Sequence, residues 1–244
     1  MNLSRNARTI LYLLLITDLG FIGLHLIYSF AVFPDSLFSV ADPGEKKALF
    51  SMLAIDRDRS YAELFGYIQM AWIVMLLGTL IFKRSMALYL GWALLFLYFL
   101  LDDSMSLHEH FGHMLDVGLS LPSVFGLRSQ DLGELLSCAL IAAVIFPLIA
   151  IGYWLSDKEN RQVTHRLMAS VVLLVACGMG VDMLHEALPG DLIWVILEDG
   201  GELVAMSLAL SVSLSIFFEP QPSIARATVP ASTQEGAKIR LAHG

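Results

Sequence analysis

Residues 135–155 read LLSCALIAAVIFPLIAIGYWL, a run of 21 positions without one charged side chain. Wound as an α-helix it is roughly 30 Å long, the thickness of a bilayer's hydrocarbon core. It is apolar on every side, so a single neighbouring surface cannot cover it. Five more runs flank it. Together they predict spans at 9–33, 61–82, 85–108, 131–155, 167–188 and 192–218. The reading is an all-α integral membrane protein whose six transmembrane helices form one domain over residues 1–218. From residue 219 the chain turns to Pro, Ala, Ser and Thr, too little apolar surface for a core. Residues 219–244 are expected to be a disordered cytoplasmic tail.

Composition agrees. Hydrophobic residues make up 57% of the 244 and charged ones 16%, against roughly 25% charged in soluble domains. Mean hydropathy is +0.69. Cys138 and Cys177 both sit in apolar runs, which excludes a CxxC motif and argues against a disulfide framework. No basic patch marks a nucleic-acid partner. Arg5 and Arg8 before an apolar run resemble a signal peptide, but Asp18 interrupts the run and no clean small-x-small cleavage site follows. A retained first helix is expected.

Charge sets an expected orientation. Ten basic residues, among them Arg5, Arg8, Lys83, Arg84, Lys158 and Arg161, fall on the side of the termini, and five on the other. The positive-inside rule places both termini in the cytoplasm of a bacterial-type inner (plasma) membrane. Of the 23 Asp and Glu, only Asp18, Asp157, Glu159, Glu219 and Glu235 lie away from the outer end. That end attracts cations.

The spans also carry a pattern. Tyr61-Ala62-Glu63-Leu64-Phe65-Gly66, Leu132-Gly133-Glu134-Leu135-Leu136-Ser137 and Gly200-Gly201-Glu202-Leu203-Val204-Ala205 share small-Glu-Leu-x-small near the starts of the even spans. The small positions are four apart, on one face, where a second helix can approach closely. Leu24-His25, Leu107-His108 and Leu184-His185 close the odd spans. Three pseudo-repeated hairpins are expected, each bringing one His and one Glu to the outer edge. Six helices would then surround a shared axis.

His25, His108, His185, Glu63, Glu134 and Glu202 compose a donor set for one or two metal ions. Imidazole suits Zn, Cu and Fe, and carboxylates extend the range; Zn, Fe and Cu are not distinguished. Asp182, Glu109, Glu186 and Asp103 are expected behind these ligands or as catalytic acids and bases. Of Asp102 and Asp103, one is expected to orient a His. An alternative explanation for Asp131, Asp199 and Glu198 is capping of helix starts. His110 and His113 read as solvated loop residues. Asp18 stands near mid-span, as a proton relay or as a neutral partner of a neighbouring helix.

The leading expectation is a membrane metalloprotein, a metal-dependent hydrolase or di-metal oxidoreductase working at the outer interface on an amphipathic, lipid-like substrate. Two rivals are a cation or proton-coupled transporter or channel, and a b-type haem protein ligated by two of the three His. Membrane lipid and a metal ion are the implied partners.

Overall fold

In the computed structural model, residues 3–30, 50–124, 127–188 and 190–219 are described; for Glu159, Glu186, Ala187 and Asp191 the backbone alone is. The expected tail beyond Glu219 and the segment 31–49 lie outside these residues. Among them the regular structure is helical, with one isolated bridge between Val124 and Leu127.

Helix α1 spans Arg5–Ser29, started by Ser4, whose hydroxyl accepts the Ala7 N–H at 3.3 Å. Helix α2 is Tyr61–Lys83 and α3 is Met86–Met105, capped in the same way by Ser60 and Ser85. Ser106 adopts a left-handed backbone (φ 48°) and breaks the helix, which resumes as α4, Leu107–Leu119. Helix α5 is Ser129–Leu155 and α6 is Lys158–Val175. A π-helical turn, Ala176–Val181, joins α6 to the short α7, Asp182–Ala187. Gly190, at φ 126°, turns the chain into α8, Asp191–Phe218. The chain is an integral membrane protein: α1, α2, α3, α5, the α6–α7 unit and α8 are long and apolar enough to cross a bilayer.

Their packing is not that of six equivalent helices. Helix α8 is central, 61% of its most apolar window being buried against 17% in α1 and 22% in α5. It packs on α1, α2 and α6. Helix α2 lies along α3, and α3 along α5, around a core of Trp92, Tyr89, Phe96, Ile73, Leu77 and Leu210. Helices α5 and α6 touch sparsely, and α1 and α2 form no extensive pair among the described residues. The expected shared axis is therefore replaced by a central helix.

Small residues decide the close contacts. A β-carbon on Gly152 would lie 2.2 Å from the Ala87 carbonyl oxygen, and one on Gly91 2.8 Å from Ile149 Cγ1. This α3–α5 seam continues past Ser106, where one on Gly133 would lie 2.2 Å from the Gly112 carbonyl oxygen. The loop expected after residue 108 is thus largely helix. Its apolar and polar faces separate cleanly enough to fold one side onto the first turns of α5. His110 and His113 are helical, not loop, residues and remain exposed.

The seam predicts a contrast. Gly152→Val should lower the thermal midpoint in detergent, at an overpacking cost of about 1–3 kcal/mol. Gly78→Val, at a position where an added β-carbon meets nothing within 4 Å, should leave it unchanged. Equal midpoints would refute the seam.

Candidate functional site

A cleft of about 1110 Å³ runs between α3, α5 and α6. At one end its wall is polar, with Glu63, Asp103, His108, Glu134, Asp199 and Glu202 outnumbering the basic Arg57 and Arg128. At the other it is apolar, with Leu95, Phe99, Ile141, Phe146, Val171 and Val172, residues of the membrane-crossing helices. Phe146 and Val172 line the cleft and are also 38% and 59% exposed. Where α5 and α6 fail to pack, the cleft therefore opens sideways, toward the surface that lipid covers.

Four of the six anticipated ligands, Glu63, His108, Glu134 and Glu202, share this wall. His25 and His185 are not among the lining residues. Asp103, Glu109 and Asp182 also line the cleft, and the side chain of Glu186 lies outside the described residues.

Below the polar end, Glu63, Asp103, Asp199 and Glu202 face a smaller cavity of about 70 Å³ whose other walls are apolar, including Ile55, Met70, Leu174 and Met206. Among the described residues, no basic side chain stands on its wall. Four carboxylates around one small space repel one another, and bound protons or a cation relieve the repulsion. Glu63 is fixed from two sides. Tyr67 donates its hydroxyl to Oε1, and the same hydroxyl lies 2.9 Å from the Asp103 carbonyl oxygen. The Arg59 N–H, in a left-handed residue (φ 60°), bonds Oε2. With Ser60 Oγ accepting the Glu63 N–H at 3.2 Å, this is a near-variant of the Ser-x-x-Glu capping box. Glu63 thus starts α2 as well as lining the cavity.

Two glutamates owe their places to glycines. A β-carbon on Gly112 would lie 2.5 Å from Glu134 Cγ, and one on Gly178 1.8 Å from Glu202 Oε1. Gly178 belongs to the π turn, whose widened backbone sets Cys177 against Gly201 and Gly178 against Glu202. Hairpins two and three thus repeat one device, a glycine of the preceding helix seated on the glutamate of the next. In hairpin one the glycines of the preceding helix, Gly20 and Gly23, have no such neighbour.

The three histidines are each held by the chain. His25 is buried, its Nδ1 accepting the Ile55 N–H at 3.2 Å and its Nε2 3.2 Å from Ser29 Oγ. It anchors the segment before α2, whose Ile55, Asp56 and Asp58 line the cleft. Asp102 accepts from His108 twice, from the backbone N–H at 2.7 Å and from Nδ1 at 3.0 Å. Asp102, not Asp103, is the orienting acid. Glu198 holds His185 Nδ1 at 3.0 Å. A carboxylate on Nδ1 leaves Nε2 as the nitrogen for other partners.

Capping accounts for Asp131, whose carboxylate accepts the Arg128 N–H at 2.8 Å and pairs with its guanidinium at 2.8 Å. It does not account for Glu198 or Asp199, because α8 starts at Asp191 and both lie inside it. Asp199 lines the cavity instead. Asp56 and Asp58, which line the cleft, and Tyr67, which bonds Glu63, carried no signal in the sequence. The Ser60-x-x-Glu63 spacing was the one local signal pointing to that corner.

Among the described residues, no three His, Cys, Asp or Glu donors converge as a metal site. The imidazole part of the expected ligand set fits poorly, since His25 has both ring nitrogens bonded within the chain. The donor chemistry of the four-carboxylate cavity fits a hard divalent ion better, as carboxylate oxygens do.

The Asp102 pair gives a titration with a definite sign. Hydrogen bonding to the Asp102 carboxylate is the main cause that lifts the His108 pKa, from its usual value to about 9, against the opposing effect of burial. Stability from this pair is fully present below the ordinary His pKa of ~6.5 and is lost as pH rises through about 9. In NMR of the ring, wild-type His108 should titrate near that upper value and Asp102→Asn should bring it down. An unmoved midpoint would refute the pairing.

No curated protein and no solved structure matches the chain. Residues 12–217, which contain all six anticipated ligands and both cavities, match one family model. The chain belongs to the family described as a domain of unknown function, DUF8692.

Proposed function

We propose that this protein is a membrane metalloenzyme acting on an amphipathic, lipid-like substrate at the outer face of a plasma-type membrane, with both termini cytoplasmic. One observation carries the reading: a single cleft is lined by carboxylates at one end and by apolar side chains at membrane depth at the other. Such a wall suits a molecule with a polar head and a hydrocarbon chain. The opening between α5 and α6 lets that molecule arrive from the bilayer without crossing water.

Glu63, Asp103, Asp199 and Glu202 would hold the metal, with His108 the imidazole on the adjoining wall. A bound ion would supply activated water for hydrolysis or, as a pair, a redox centre. The rest is the protein's own work. Tyr67 and the Arg59 N–H fix the Glu63 carboxylate, and Gly178 leaves room for that of Glu202. Asp102 holds His108 by Nδ1 and leaves Nε2 for other partners. Phe99, Ile141 and Val171 seat the apolar part of the substrate and exclude water around it.

The transporter reading keeps one supporting feature, the excess of acids at the same end, which concentrates cations. The haem reading loses His25, which is bonded at both ring nitrogens, and of the other two histidines His108 lines the cleft while His185 does not.

Elemental analysis of the purified protein should find one or two divalent transition-metal ions per chain. The double change Glu63→Gln, Glu202→Gln should reduce that content at least severalfold. A chain that holds no metal, and takes none up on titration, would sink the metalloenzyme reading. Separately, a photoreactive alkyl amphiphile should label α3, α5 and α6 residues of the cleft, and Val172→Trp should suppress the labelling.

A further inference from the structure

Asp18 is a carboxylate inside the bundle and takes no part in the cleft. Its exposure is 0%, and neither Oδ1 nor Oδ2 has a hydrogen-bond partner. It sits in the α1 segment that packs on α8. Ser207 of α8 approaches it without completing a hydrogen bond. The Ser207 hydroxyl is engaged with Gln69 of α2: the amide Nε2 donates to Oγ at 3.3 Å, and Oγ lies 3.4 Å from Oε1. Gln69, Ser207 and Ser211 are all 0% exposed. Three helices thus meet at one sealed polar point, and its acid is left unsatisfied.

A polar group kept without partners in a dry interior needs a reason. An ionised carboxylate there costs several kcal/mol after relaxation unless a counter-charge compensates it. Among the described residues no basic side chain acts on Asp18, and the polar side chains that α2 and α8 bring here, Gln69, Ser207 and Ser211, are neutral. A metal cation would need a shell of oxygens, and these two side chains are already committed to each other. An acid kept only to glue helices together would be found in its bond. A proton satisfies the site with the least material, because a carboxylic acid O–H can donate to Ser207 Oγ once the hydroxyl rotates.

The acidic cavity comes close to the site. Its wall includes Met70 and Met206, which adjoin Gln69 and Ser207 in the chain. Along α8, Glu202 is five residues from Ser207, ~7.5 Å of axial rise, and along α2 Glu63 is ~9 Å from Gln69. The other ionisable groups toward that end are Asp103 and Asp199 on the cavity wall and His25, ~10 Å along α1. The geometry points to Asp18 as an intramembrane proton-binding site, with Gln69 and Ser207 as its polar contacts and the acidic cavity as its source of protons. This site is a second activity of the bundle and does not depend on a metal in the cleft.

Infrared difference spectroscopy of the full-length chain in lipid vesicles tests it, with spectra taken between acidic and alkaline buffer and a chelator present throughout. Wild type should show the C=O stretch of a protonated carboxyl that is lost on going alkaline. That band should be missing in Asp18→Asn, displaced in Ser207→Ala, and shifted by exchange into heavy water. Asp18→Asn is close to isosteric with the protonated acid, so its thermal midpoint should stay near that of wild type. Should it fail to assemble, Asp18→Glu must move the band instead. The proposal is overturned if the band survives in Asp18→Asn, if no such band exists at any pH, or if it stays unchanged from acidic to alkaline buffer.

Discussion

Hydrocarbon does not solvate carboxylates or free peptide groups, and the architecture follows from that constraint. Backbone polar groups are closed within helices. Acids crowd one end of the bundle, where Glu63, Asp103, Asp199 and Glu202 face a shared space. Polar side chains that do lie deep are consumed locally, as when the Ser211 hydroxyl donates to the Ser207 carbonyl oxygen at 2.8 Å and that of Ser213 to Ala209 at 2.9 Å. Among the described residues the Tyr89 and Thr164 hydroxyls and the Trp92 indole N–H are also buried without a partner, but Asp18 is the one ionisable carboxylate among them, and that is why it carries chemical meaning.

Between helices, where lipid removes the usual hydrophobic driving force, contact depends on how closely backbones can approach. Glycine does that work here in two registers. Gly91 and Gly152 bring α3 and α5 together along the membrane. Gly112, Gly133, Gly178 and Gly201 do it at the polar end, and there the same absence of a side chain creates room for Glu134 and Glu202. Stability and site geometry are thus served by one kind of residue. The sparse contact between α5 and α6 is equally formative, because it leaves the cleft open on the side that lipid covers.

The histidines illustrate how a shared motif can diverge in use. His108 and His185 are each bound at Nδ1 by a carboxylate, whereas His25 is turned inward to accept the Ile55 N–H and so fastens the segment that walls the cleft. Hairpin one is the outlier in packing. Its two helices each pack extensively on α8 and touch each other only lightly, as where the Phe21 and Phe65 rings lie 5.6 Å apart.

Six spans, the clustering of acids at one end and the relation between hairpins two and three were legible in the chain, because each depends on local composition or on spacing along a helix. The 21-residue run at 135–155 could become nothing but a buried or lipid-facing helix. Which helix lies at the centre was not legible, since every span is apolar all round and hydropathy does not rank them. The break at Ser106 fell within the expected span 85–108, and the role of Asp199 was hidden because the cavity it lines is walled by residues of other helices, Glu63 and Asp103 among them. Which of Asp102 and Asp103 would hold His108 was a matter of rotation about a helix axis, decided by packing against α2 and α5. The sealed surroundings of Asp18 and the cleft between α3, α5 and α6 belong to tertiary structure alone, for both are made by side chains far apart in the chain, brought together or held apart by the fit of one helix surface on another.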